Sequence, residues 1–84
     1  MSLHLVFSAE GLASCLDSRV VEEPIVLLGD GVYASSQNLS SCFVLQHDAK
    51  ARGVAPGSDS SAHIDYAAML ELTIAHNPIV SWTN

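Results

Sequence analysis

Four short apolar runs constrain what this chain can fold into. They are Leu3-His4-Leu5-Val6-Phe7, Ile25-Val26-Leu27-Leu28, Cys42-Phe43-Val44-Leu45 and the terminal Ile79-Val80-Ser81-Trp82. None keeps the strict apolar/polar alternation of a half-solvated antiparallel strand; such runs suit strands buried on both faces, mostly parallel and interior. Parallel strands need crossovers, and the intervening segments have helical features. Ser8 is placed to cap a first helix, Glu10 suits its first turn, and Leu12, Cys15, Leu16 and Val20 form an i, i+3, i+4, i+8 stripe. Glu22-Glu23-Pro24 stops that helix.

Further along, Gly29-Asp30-Gly31 has two readings. It is either a hairpin turn into Val32-Tyr33 or a helix start capped by Asp30 and running to about Asn38, and the polar Ser35-Ser36-Gln37-Asn38 run fits the helix better. His47 to Arg52 is a short charged helix in which Asp48 and Arg52 are spaced i, i+4 and Gly53 is the left-handed cap. Residues 54–62 have loop composition. His63-Ile64 is a short strand and Asp65 caps a last helix. Its expected core stripe is Tyr66, Met69, Leu70, Thr73 and Ile74, and Asn77-Pro78 ends it. Strands alternating with helices predict one small α/β domain over 1–84, with helices on both faces of the sheet.

A chain of 84 residues has room for one core and little surplus stability. Disulfide or metal staples are poorly supplied, since Cys15 and Cys42 form no CxxC and no histidine stands at ligand spacing from another or from a cysteine. Only 14% of the residues are charged, 49% are hydrophobic, and mean hydropathy is +0.31, too apolar for a solitary monomer. A partner is therefore expected. The net charge of −6, with Arg19, Lys50 and Arg52 as the only fixed cations, rules out a phosphate-tracking stripe and so direct nucleic-acid binding. No apolar run approaches the roughly 20 residues that span a bilayer, and the first residues have no basic signal-type region. The expectation is a cytoplasmic protein with reduced thiols.

Among the chemistry-bearing residues, Gly29-Asp30-Gly31 follows a strand but lacks the further glycines of a dinucleotide fingerprint and the Gly-Lys-Ser/Thr of a P-loop. The serines make no nucleophile elbow. No metal or cofactor is expected, a pairing of His47 with His63 being the only metal reading left open. Cys15 stands out, because Arg19 lies one helical turn further on, where its charge could favour a thiolate. Two readings of Cys15 stay open: a reactive thiol stabilised by Arg19, or a small hydrophobe beside the Leu12/Leu16 stripe. Cys42, opening an apolar strand, reads as core.

Several strings, taken in order, resemble one family. They are Leu3-His4, Leu27-Leu28 with Asp30-Gly31-Val32-Tyr33-Ala34, Val44-Leu45 with Asp48-Ala49-Lys50-Ala51-Arg52-Gly53, Ile64-Asp65-Tyr66, Leu72-Thr73 and Val80-Ser81-Trp82. The chain is similar across nearly its whole length to the DsrH/TusB subunits of the DsrEFH and TusBCD sulfur-relay complexes. The resemblance implies a three-layer α/β/α, DsrE-like (flavodoxin-like) fold around a mostly parallel five-stranded sheet. It implies hetero-oligomeric assembly with DsrE/TusD-like and DsrF/TusC-like subunits, and sulfur passed on as a cysteine persulfide, toward 2-thiolation of the tRNA wobble uridine or in sulfur oxidation. The main active cysteine of such complexes belongs to the DsrE/TusD-type subunit. Some DsrH-type members also have a first-helix cysteine in a Ser-Cys-Leu setting, which Ser14-Cys15-Leu16 reproduces, making Cys15 a candidate persulfide acceptor and Arg19 its thiolate stabiliser. The alternatives are a non-catalytic assembly subunit and a flavodoxin-like domain holding a small phosphorylated ligand at Gly29-Asp30-Gly31.

Overall fold

The computed structural model describes residues 1–20, 22–34, 41–54 and 62–83. In chain order the elements are β1 (Leu3–Val6), α1 (Ala9–Ser18), β2 (Ile25–Leu27), a 3-10 helix (Gly29–Ala34), β3 (Cys42–Leu45), α2 (Gln46–Ala51), β4 (Ala62–Ile64), α3 (Tyr66–Ala75) and β5 (Ile79–Trp82). The five strands form one sheet in the order β4-β3-β2-β1-β5, and all four pairings are parallel. This is the three-layer α/β/α architecture expected from the sequence.

Strand order dictates how the helices are shared between the faces. The connections β1 to β2, β2 to β3 and β3 to β4 all step the same way, and the last, β4 to β5, returns across the sheet to the far side of β1. Because parallel crossovers are right-handed, stepping one way puts the helices on one face and the return puts α3 on the other. The core follows this division. On the first face Leu12 and Cys15 of α1, Val32 and Ala34 of the 3-10 helix and Ala49 of α2 bury against Val6, Ile25, Leu27, Cys42 and Val44. On the second face Met69 of α3 buries against Leu3, Val26 and Leu45, with Leu5, Leu28, Phe43, Ile64 and Leu72 only partly covered. Alternation of side chains along β1, β2 and β3 is what sends neighbouring residues to opposite faces.

Local signals set the element ends. Ser8 Oγ accepts a hydrogen bond from Gly11 N (2.9 Å), and Asp65 Oδ1 accepts from Ala68 N (2.8 Å), so both expected N-caps form. Gly53 adopts φ +71° beyond α2, the left-handed conformation anticipated for it. Gly29-Asp30-Gly31 begins a 3-10 helix and not a hairpin. The extension of that helix to Asn38 lies outside the described residues, as does the loop reading of 55–61. At the borders of that loop, Val54 is half-buried against the first-face core and Ala62 already belongs to β4.

The last helix departs from expectation. Met69 and Leu72 face the sheet, but Tyr66, Leu70 and Ile74 of the expected core stripe point outward and are exposed. An i, i+4, i+8 row marks one side of a helix without stating which side is inward, and here α3 is apolar on both. On α1, Leu16 is likewise exposed while Leu12 and Cys15 are buried; the helix ends at Ser18 with Arg19 extended, so Val20, expected on its stripe, lies beyond it and is exposed.

Candidate functional site

The cysteine singled out from the sequence is sealed. Helix α1 rests on the first face of the sheet, and Cys15 lies within the cluster that includes Leu12, Ile25, Leu27 and Cys42, with 0% of its surface exposed. Neither cysteine is in a disulfide. Burial pushes the Cys15 thiol up to about 11 from an ordinary 9.0, because the apolar surroundings disfavour the thiolate. Arg19 pulls the other way, as the i, i+4 spacing suggested, while Glu23 and Cys42 add to the upward shift. Desolvation is the largest effect and decides the outcome, so in the folded chain Cys15 is a protonated, shielded thiol at neutral pH. The Arg19 guanidinium also has other work: its Nη1 donates to the Glu23 carbonyl (3.0 Å), tying the end of α1 to the approach to β2.

Beside the cysteine is a polar network that sequence reasoning missed. The Glu23 carboxylate accepts from Ser2 N (2.9 Å), Val20 N (2.9 Å) and the buried ring of His4 (Nε2 to Oε1, 3.0 Å). Trp82 Nε1 donates to His4 Nδ1 (3.0 Å). An indole N–H can only donate, so Nδ1 is the acceptor and the neutral imidazole carries its proton on Nε2, facing Glu23. These donors hold the Glu23 carboxyl down at about 2, the His4 hydrogen bond contributing most. The network joins the N-terminal residues, the α1 exit and β5. It gives the terminal Leu-His and Ser-Trp strings a structural purpose. The available signal is a buried-strand histidine and a tryptophan that each need a polar partner; in the sequence Glu23 is legible only as part of a helix stop.

The Gly29-Asp30-Gly31 turn is likewise committed to structure. Gly29 N donates to Asp48 Oδ2 (2.7 Å), so a carboxylate of the chain already sits where a bound anion would be held, and Gly31 N donates to the Leu28 carbonyl (3.0 Å). Gly31 is required by proximity, since a Cβ there would lie 2.4 Å from the Val6 carbonyl oxygen. The expected Asp48–Arg52 side-chain pair gives way to a division of labour. Arg52 Nε donates to Asp30 Oδ1 (3.0 Å) while Asp48 holds Gly29, so the charged string of α2 buttresses the turn. In open parallel sheets a ligand normally sits where the strand order reverses, beyond the carboxyl ends. Here that is the gap between β1 and β5. The first turn of α1 fills it: a Cβ on Gly11 would come within 2.7 Å of the Trp82 carbonyl oxygen, which Phe7 N already engages (3.1 Å).

His47 and His63 are not joined in a metal-type cluster; among the described residues no group of three or more potential ligands converges. Among the same residues no helix is long and apolar enough to cross a membrane.

The molecule is thus a small all-parallel α/β/α unit whose strand-end crevice and glycine turn are closed by its own residues and whose first-helix cysteine is buried. Comparison with known proteins gives the family. The model of the DsrH-like protein family matches residues 6–79. The chain is 34% identical to Protein TusB of Yersinia pestis and to Protein TusB of Yersinia pseudotuberculosis, over 82 residues that cover 84% of this chain and 86% of each relative. It belongs to the DsrH/TusB family, the small sulfur-relay subunits that its strings resemble.

Proposed function

We propose that this chain is the assembly subunit of a sulfur-relay complex, holding DsrE/TusD-like and DsrF/TusC-like partners in place while the sulfur travels through a cysteine on one of them. The observation that carries this reading is the complete burial of Cys15 beneath α1. In a persulfide relay a thiolate attacks the outer sulfur of a donor Cys–S–SH; a new S–S bond forms, the donor sulfur leaves as thiolate, and no outside oxidant is consumed. That attack needs an exposed, ionised sulfur, and Cys15 is neither. On this reading the sulfur goes toward 2-thiolation of the tRNA wobble uridine or into sulfur oxidation, the two pathways that the family resemblance implies, and any tRNA contacts belong to other chains because this one has only three fixed cations.

The test is intact mass spectrometry of every subunit after the purified complex meets a sulfur donor. The partner bearing the active cysteine gains about 32 Da, one sulfur atom. This chain stays unmodified, and Cys15→Ala complexes transfer sulfur at the wild-type rate. A sulfur adduct on this chain that disappears in Cys15→Ser, together with lost transfer in an intact complex, would overturn the assembly reading in favour of a Cys15/Arg19 relay.

A further inference from the structure

Helix α3 has an apolar side too many. Met69 and Leu72 already satisfy the sheet, yet Tyr66, Leu70 and Ile74 form a second apolar row on its outer side, 61%, 50% and 85% exposed. Ile79 of the edge strand β5, 45% exposed, adds to the same face of the sheet beside Leu3. A helix that is apolar around its circumference belongs in an interior. Together these side chains expose roughly 400 Å² of apolar surface, judged from side-chain size, at the level where patches on soluble chains mark interaction sites.

Charge says what covers the row. Asp65 and Glu71 are the only charged residues from β4 to the chain end, and no lysine or arginine follows Arg52. Pairing two copies through this row would bring acidic residues together with no neighbouring cation to offset them, on chains that each carry −6.

We propose that the Tyr66/Leu70/Ile74 row, continued by Ile79, docks into an apolar groove with lysine or arginine on its rim, presented by a different subunit of the complex. The partner contacts further surface around the row. This rests on the assembly reading above and locates the interface that reading requires.

The experiment co-expresses the full-length chain with the two related sulfur-relay subunits and measures association and native mass, alongside thermal unfolding of the isolated chain. Ile74→Glu and Leu70→Glu leave the isolated chain folded, with its melting temperature nearly unchanged, but weaken association at least tenfold, whereas Ala13→Glu on the exposed side of α1 leaves it intact. Glu71→Lys weakens association several-fold, and Glu71→Gln flattens its salt dependence. Full-strength assembly of Ile74→Glu with both partners would overturn the placement while leaving the assembly reading standing. Wild type that binds neither partner would overturn the assembly reading itself. An isolated dimer that Ile74→Glu dissociates would make a second copy the occupant and overturn the proposal.

Discussion

The two faces of the sheet solve the same packing problem with different completeness. On the first, α1, the 3-10 helix and α2 lie side by side, and ten buried residues from helices and strands form a continuous cluster around Cys15. On the second, a single helix covers a sheet face on which Leu5, Leu28, Phe43 and Ile64 stay partly open. The cause is topological: three crossovers step one way and one returns, so three helical elements fall to one face and one to the other. The closed face hides Cys15, which its spacing from Arg19 singled out. The thin face presents the apolar surface that an 84-residue chain with 14% charged residues has left over. In a protein with so few charged residues, the incompletely covered face is the one we propose for a partner.

The sharpest way to break this contrast is the same truncation on each face. Leu12→Ala, under α1, is expected to lower unfolding free energy by about 2–5 kcal/mol through lost transfer energy and a cavity. Leu70→Ala on the outer row should stay within roughly 0.5 kcal/mol in the isolated chain. Urea denaturation midpoints compare the two directly, and equal losses would mean that Leu70 is buried after all. Next in size, Gly31→Ala forces a methyl against the Val6 carbonyl oxygen, 2.4 Å from the built Cβ, and should cost about 2–3 kcal/mol by overpacking. Thermal unfolding detects it, and a neutral result would mean that the 3-10 helix stands further off β1.

The polar network on the closed face makes a pH prediction. Glu23 is held at about 2 when folded, against 4.5 ordinarily, so its contribution to stability is complete above the unfolded value and is lost as pH falls from about 4.5 through 2. Glu23→Gln should be less stable at neutral pH and should lack this part of the acid limb, as read from melting temperatures across that range. Cys15 acts at the other end of the scale. Its folded value is raised, so the unfolded chain ionises first and stability falls as pH rises from about 9 toward 11. Thiolate absorbance should appear near pH 11 in native protein and near 9 in denaturant, with Cys15→Ala identifying the signal. A small effect is expected at the surface. Arg52→Ala removes the partly exposed bond to Asp30 and should cost about 0.2–1 kcal/mol, less in high salt.

Much of the architecture was legible because short apolar runs, caps and a proline stop are local. Ser8, Asp65 and Gly53 act as their chemistry indicates, four strands form where the apolar runs lie, and the fifth forms at His63-Ile64. The candidate site was less legible. The Cys15/Arg19 spacing is real and its electrostatic effect has the expected sign, but a spacing along one helix says nothing about the sheet beneath it. Asp48 and Arg52 have the spacing of a helix pair, yet each found a better partner in a turn about 20 residues earlier in the chain. Glu23 was hidden because its side-chain partner His4 and the Ser2 backbone donor lie 19 and 21 residues away in the chain, and only the Val20 N–H is local.

By itself, then, the sequence determined the alternation of strands and helices, the parallel sheet, the acidic net charge, and the family to which it belongs. These follow from periodicity, composition and ordered strings, all properties of the chain read in one dimension. Only the tertiary structure decided which apolar rows face inward. A helix with two apolar sides has no local reason to prefer either; the choice comes from the handedness of the crossover that sets α3 on its face of the sheet. The same packing turned Cys15 from a candidate nucleophile into a buried thiol, because desolvation by α1 and the strands outweighs the charge of Arg19.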